Sequence, residues 1–163
     1  MIKSAKYVHT NLISRAWRRL AAFYQNVFGC VPVPPERDYA NPELAAGTGM
    51  PGAALQGAHL RLPGFDNSDY APTLEIFTYQ QQMGRPSLVA TPAGGTIPAV
   101  NRIGYGHIAF AVSSVDDARS EVLAAGGSAV GEVVTLTTAT GANIHWCYVR
   151  DPEGNIIELQ TVS

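Results

Sequence analysis

The feature that most restricts what this chain can fold into is an order of elements that occurs twice. Residues 6–13 alternate, with Val8, Thr10 and Leu12 on one face and His9, Asn11 and Ile13 on the other. That is the period of a half-buried strand. Ser14 is placed to cap a helix, and Trp17, Leu20, Phe23, Tyr24, Val27 and Phe28 come next at helical spacing up to Gly29. Residues 31–35 are apolar but hold three prolines, which confines them to an edge or a short strand. Short strands are expected at 58–62 and 73–79, after a Gly-, Pro- and Ala-rich stretch from 36 to 57 in which 42–46 can form one helical turn. That stretch is long enough to cover a pocket.

The same order then returns. Residues 104–113 alternate again, with Ile108, Phe110 and Val112 against Tyr105, His107, Ala109 and Ala111. Ser114 opens a helix whose apolar stripe is Val115, Ala118, Val122 and Ala125, and Gly126-Gly127 closes it. Strands are expected at 128–137, 144–150 and 156–161, with a tight turn at 151–155. Each half therefore reads as strand, helix and three strands. The expected boundaries are one module at 5–80, a linker at 81–103 and a second module at 104–163, together one domain over 1–163. The linker has no periodicity and is punctuated by Gly and Pro.

Composition narrows the function classes. Apolar residues make up 46% and charged ones 15%, which favours an ordered core over disorder. The net charge of −2 is spread without runs, so neither a nucleic-acid surface nor polybasic membrane binding is expected. No apolar run approaches the ~20 residues that span a bilayer. Two cysteines, Cys30 and Cys147, are too few for a disulfide framework, and a cytoplasmic location is expected.

The chemistry-bearing residues fall at corresponding places. His9 and His107 lie on the first strand of each half, and Glu75 and Glu158 on the last. Apart from Ile13 and Ile156, which share the faces of His9 and Glu158, the Leu, Ile and Val side chains of these strands lie on the opposite face from all four. Two imidazoles and two carboxylates suit a divalent transition ion such as Ni, Zn, Co, Mn or Fe. A carboxylate inside Leu74-Glu75-Ile76 or Ile157-Glu158-Leu159 needs something to compensate its charge. Taken singly, each has a plainer reading as a solvated or hydrogen-bonded side chain. His59 is expected at the surface or a dimer contact, and His145 in the core or beside a ligand. Phe77, Tyr79 and Tyr105 share the ligand face and are expected to line a pocket wall or simply to pack there.

The segments Val8-His9-Thr10, Leu74-Glu75-Ile76, Tyr105-Gly106-His107-Ile108-Ala109 and Asp151-Pro152-Glu153-Gly154-Asn155-Ile156-Ile157-Glu158-Leu159 resemble the vicinal oxygen chelate superfamily. Glyoxalase I, methylmalonyl-CoA epimerase, extradiol dioxygenases, fosfomycin-resistance transferases and bleomycin-binding proteins belong to it. The resemblance runs from Tyr7 to Gln160. It implies an α+β fold of two βαβββ modules whose curved, open mixed sheets surround a metal. His9, Glu75, His107 and Glu158 resemble the His-Glu-His-Glu set of bacterial glyoxalase I. The resemblance implies a lyase or isomerase in which Glu158 is the base, Glu75 is a ligand and proton-returning partner, and an enediolate is formed. A small-molecule substrate and a homodimer are also implied.

The pattern departs in two places. Where glyoxalase I carries arginine, four residues after the first His and four before the second, this chain has Ile13 and Ile103. Arg102 lies one residue away, and a one-residue slip on a strand reverses the face. Two alternatives stay open: an Fe(II) extradiol-type dioxygenase using His9, His107 and Glu158, and a non-catalytic small-molecule-binding protein.

Overall fold

A computed structural model describes residues 6–65, 71–80, 99–101 and 103–163. The chain divides into two compact units, Met1–Ala90 and Thr91–Ser163. Among the described residues no helix is long and apolar enough to cross a membrane.

The first unit comprises β1 (His9–Ile13), α1 (Trp17–Phe28), β2 (Val31–Tyr39), α2 (Pro42–Thr48), β3 (Leu55–Arg61) and β4 (Thr73–Tyr79). Its sheet has the order β1-β4-β3-β2. The β1–β4 pair is parallel and the other pairs are antiparallel. Leu60, Leu74 and Ile76 are fully buried, as are Leu20 and Tyr24 of α1. Burying each such side chain contributes about 1.5–3 kcal/mol. The opposite face of β3 and β4, with His59, Arg61, Thr73 and Phe77, stays half-open.

The prolines do keep β2 at the sheet edge, yet the strand runs on to Tyr39. A shift of register between Val33 and Arg37 absorbs the Pro34-Pro35 segment. The helical turn expected at 42–46 is a seven-residue helix capped by Asn41, whose side-chain oxygen accepts from Leu44 N–H at 2.8 Å. Ser14 does not cap α1. Its N–H continues the sheet by donating to Phe77 O at 2.8 Å, so the chain leaves the strand later. The helix begins at Trp17, whose N–H is satisfied by Thr78 Oγ1 at 3.1 Å.

The second unit comprises β5 (Ile108–Ala111), α3 (Val115–Ala124), β6 (Ser128–Ala129), β7 (Val134–Thr137), β8 (Asn143–Arg150) and β9 (Ile156–Val162). The sheet order is β5-β9-β8-β6, with β7 also paired to β8. β5 and β9 are parallel. Val115 and Val122 of α3 are buried, as are Val149, Ile157 and Leu159 of the sheet. Ser114 caps α3 as expected, its hydroxyl oxygen accepting from Asp117 N–H at 3.2 Å.

Two expectations change here. The strand at 128–137 is two strands, because Gly131 at φ 146 breaks the extended run. The strand at 104–113 begins only at Ile108, so Tyr105 and His107 precede it. The turn at 151–155 is held by the buried Asp151, whose carboxylate accepts from the N–H groups of Glu153 (2.9 Å) and Asn155 (3.0 Å) and from Asn155 Nδ2 (2.7 Å).

Both cysteines are buried and unbridged. Burial pushes the Cys30 thiol up to about 11 and also raises that of Cys147. The thiolate is the reactive form. The native protein at pH 8 should therefore resist a thiol-reactive chromophore, and both thiols should react once it is unfolded in denaturant. Rapid labelling of the native chain would contradict the burial. A raised thiol pKa stabilises the fold below the unfolded value of about 9, and that contribution should fade as pH rises from there through about 11.

Candidate functional site

On the open face of the first unit, the parallel register sets Asn11 of β1 opposite Glu75 of β4, and His9 opposite Thr73. The antiparallel register sets His59 of β3 opposite the same Glu75. Three side chains therefore converge on one carboxylate. His9 Nε2 stands 3.3 Å from Glu75 Oε2, His59 Nε2 stands 2.9 Å from Glu75 Oε1, and Asn11 Nδ2 donates to Oε2 at 3.2 Å. Glu75 is 8% exposed, and these donors compensate its charge. The His59 pKa is lowered, first by burial and then by the nearby Arg37 and His9, with Glu75 opposing. The ring nitrogen that faces the carboxylate is Nε2.

His59 is thus not the surface residue that the sequence suggests; it sits against Glu75. The difference comes from register. That His59 meets Glu75 depends on the register between β3 and β4, which no spacing in the sequence specifies. The one available signal is alternation, which puts His59 and Arg61 on the same face.

The second unit repeats the arrangement. Ala109 and Tyr148 stand opposite Glu158 from the two sides. Extending the Ile108–Ile157 pairing by one residue puts His107 level with Ile156, two residues before Glu158. His9 likewise lies level with Thr73, two residues before Glu75. His107 Nε2 is 3.2 Å from Glu158 Oε2. Tyr148 fills the place that His59 has in the first unit. Its hydroxyl donates to Glu158, and its pKa is raised by burial, by the Glu158 charge and by that hydrogen bond. Its ring lies 5.1 Å from that of His107 and 4.9 Å from that of Trp146. Sequence reasoning misses Tyr148 because a tyrosine in an alternating strand has no chemical signature of its own.

The other expected residues are dispersed. Phe77 lies on the open face of the first unit, with its ring 5.7 Å from that of His59. Tyr79 ends β4, half-buried. Tyr105 is 85% exposed and precedes β5. His145 faces α3 rather than Glu158, with Nε2 3.5 Å from Asp116 Oδ2 and Nδ1 2.9 Å from Thr135 Oγ1. Arg102 lies outside the described residues.

Two donors that share an ion at about 2.1 Å stand about 3.0–3.4 Å apart, depending on the angle between them. The His9–Glu75 and His107–Glu158 separations of 3.3 and 3.2 Å fit that spacing. Among the described residues no group of three or more His, Cys, Asp and Glu side chains is arranged as a ready metal cage. What each unit offers is a His–Glu pair whose donor types suit a divalent ion.

Residues 6–159 match the Glyoxalase/Bleomycin resistance protein/Dioxygenase superfamily. The chain belongs to that superfamily. Solved structures share the glyoxalase-like fold. A glyoxalase family protein from Bacillus cereus is 20% identical, with 99% of this chain and 98% of that one covered and a TM-score of 0.72. A glyoxylase/bleomycin resistance protein/dioxygenase domain from Frankia sp. EAN1pec is 14% identical over the whole of both chains, with a TM-score of 0.56. A glyoxalase family protein from Enterococcus faecalis is 20% identical over 98% of each chain, with a TM-score of 0.50. No protein of curated function matches in sequence.

Proposed function

We propose that this superfamily member is a divalent-ion-dependent lyase or isomerase of the glyoxalase I type, with His9, Glu75, His107 and Glu158 as the ligand side chains. Its substrate is a small molecule with two adjacent oxygens, and the enzyme is a cytoplasmic homodimer. The observation that carries the reading is the repeated pair. In each unit an imidazole Nε2 and a carboxylate oxygen stand 3.3 or 3.2 Å apart at the same offset of a parallel strand pair. When bound, a divalent ion (Ni, Zn, Co, Mn or Fe) polarises the substrate oxygens and stabilises the negative charge that develops as a proton leaves the neighbouring carbon.

The two carboxylates are not equivalent. Glu75 has three side-chain nitrogens within 3.3 Å and is the more buried, with side-chain exposure of 11% against 17% for Glu158. Glu158 has His107 and Tyr148 beside it and faces Ala109 where Glu75 faces Asn11. The less restrained carboxylate is the better candidate to take the substrate proton, so Glu158 is assigned as the base. Glu75 is the fixed ligand and the partner that returns the proton on the other face.

The test is elemental analysis of the purified protein together with ion uptake by Glu158→Gln. The expectation is about one divalent ion per chain and uptake weakened at least about tenfold in the variant. Protein that takes up no ion, with Glu158→Gln indistinguishable from the parent, would sink the reading. Turnover is then screened over 2-oxoaldehyde thiol adducts and acyl-CoA epimers.

A second reading is favoured by the three donors on Glu75, which can hold that carboxylate away from an ion. It is an Fe(II) extradiol-type dioxygenase using His9, His107 and Glu158. Oxygen consumption with a catechol separates it from the lyase.

A further inference from the structure

Three rows of side chains cross the open face of the first unit. Arg61, Thr73 and His9 form one, His59, Glu75 and Asn11 the next, and Arg37, Gly57 and Phe77 the third. Successive rows are about 7 Å apart, the length of two strand residues. An arginine thus stands one row to each side of His59. Both are only half-exposed, and neither has a carboxylate within ion-pair range among the described residues.

Among the described residues the nearby acidic side chains are engaged elsewhere. Glu36 pairs with Arg18 at 2.6 Å. Asp38 accepts from Gln56 Nε2 at 2.8 Å, a pair one residue out of step with Arg37 and Gly57 and so on the opposite face. Glu75 is already taken by His9, His59 and Asn11. Arg37 directs one donor to the carbonyl of Pro35, whereas Arg61 makes no such bond among the described residues. A guanidinium presents five donors in a fixed fork that matches a carboxylate or phosphate, and a half-buried one without a counter-ion bears an uncompensated desolvation cost.

We propose that Arg61 is the recognition residue of an anion subsite on this face, with Arg37 adding to its field, and that it takes a carboxylate or phosphate carried by the substrate. The row beside Arg61 is the polar His59-Glu75-Asn11 row, and the apolar patch, where the Phe77 ring lies over Gly57, is one row further on beside Arg37. The expected ligand is a small anion, with a carboxylate or a phosphate as the group that meets the guanidinium. The subsite rests on the metal-site reading only in that both use the same sheet face. Anion binding is therefore measured on protein stripped of metal by a chelating resin, so that it can succeed or fail independently of ion uptake.

The experiment is a titration of stripped, isotope-labelled protein at low ionic strength with glutarate in one arm and inorganic phosphate in the other. Amide signals of Gly57, Thr73 and Phe77 are followed. Saturable shifts are expected with at least one anion, and the tighter arm names the group. Arg61→Gln should weaken binding about tenfold, the loss of one charge-assisted contact, and Arg37→Gln by less. The spectrum also reports whether the variant is folded. If Arg61→Gln is not, Arg61→Lys replaces it, with affinity expected to fall several-fold because the fork is lost. No saturable shift in either arm, or shifts unaffected by the Arg61 change, would overturn the proposal.

Discussion

Glu75→Ala should cost more ion affinity than any other single change in the first unit, on the order of a hundredfold or more, and His59→Ala should cost about 10–100-fold. Competition against a chromogenic chelator measures both. The first loss is that of a ligand. The second is indirect: His59 Nε2 lies 2.9 Å from Glu75 Oε1 and holds the carboxylate plane that offers Oε2 towards His9, 3.3 Å away. A held carboxylate loses little freedom on binding an ion; a loose one must be ordered at that moment. His59→Gln keeps a side-chain N–H and should recover part of the affinity, which a purely packing role for the imidazole would not do. Tyr148→Phe removes the equivalent donor from Glu158 and should weaken binding less, because Tyr148 donates a single hydroxyl and His107 remains in place. Melting curves by circular dichroism accompany each variant. If His59→Ala binds ions as the parent does, His59 is no support for Glu75.

The interactions that set each feature decide how much of it is legible in the sequence. The strand expected at 73–79 is the observed β4, because its alternation is uninterrupted and both faces are specified by side-chain type. Pro32, Pro34 and Pro35 mark an edge strand because a proline cannot donate to a central ladder. Four candidate ligands are legible because their residue types and their places in a repeated order coincide. Their supporting side chains are not. His59 and Tyr148 reach Glu75 and Glu158 through antiparallel pairings whose registers no spacing in the sequence specifies. The start of α1 is obscured for a related reason. Ser14 has the chemistry of a cap, but its hydroxyl oxygen accepts from Ala16 N–H at 2.9 Å, ahead of the helix, and a threonine of another strand satisfies the first helical N–H. Tertiary partners override local propensity at all these positions.

Gly57→Ala should destabilise the first unit more than any surface change there, by roughly 3 kcal/mol or more. Gly57 lies in β3 opposite Phe77. A Cβ built on it would run into the backbone carbonyl of Ile76 and into the Phe77 ring, well inside van der Waals contact. The ring can turn away, but the carbonyl belongs to the neighbouring strand and moves only if the β3–β4 ladder moves. That ladder sets His59 against Glu75, so the same substitution should also lower ion affinity. Gly47→Ala is the control. Gly47 sits in α2 with open space where a Cβ would go, and it has ordinary helical geometry. Alanine there should be neutral or should stabilise by about 0.5–1 kcal/mol through helix propensity. Urea denaturation measures both. A Gly57→Ala variant as stable as the parent, with ion affinity intact, would mean that β3 and β4 tolerate a shift. The ligand face would then be less rigid than the packing of Phe77 over Gly57 implies.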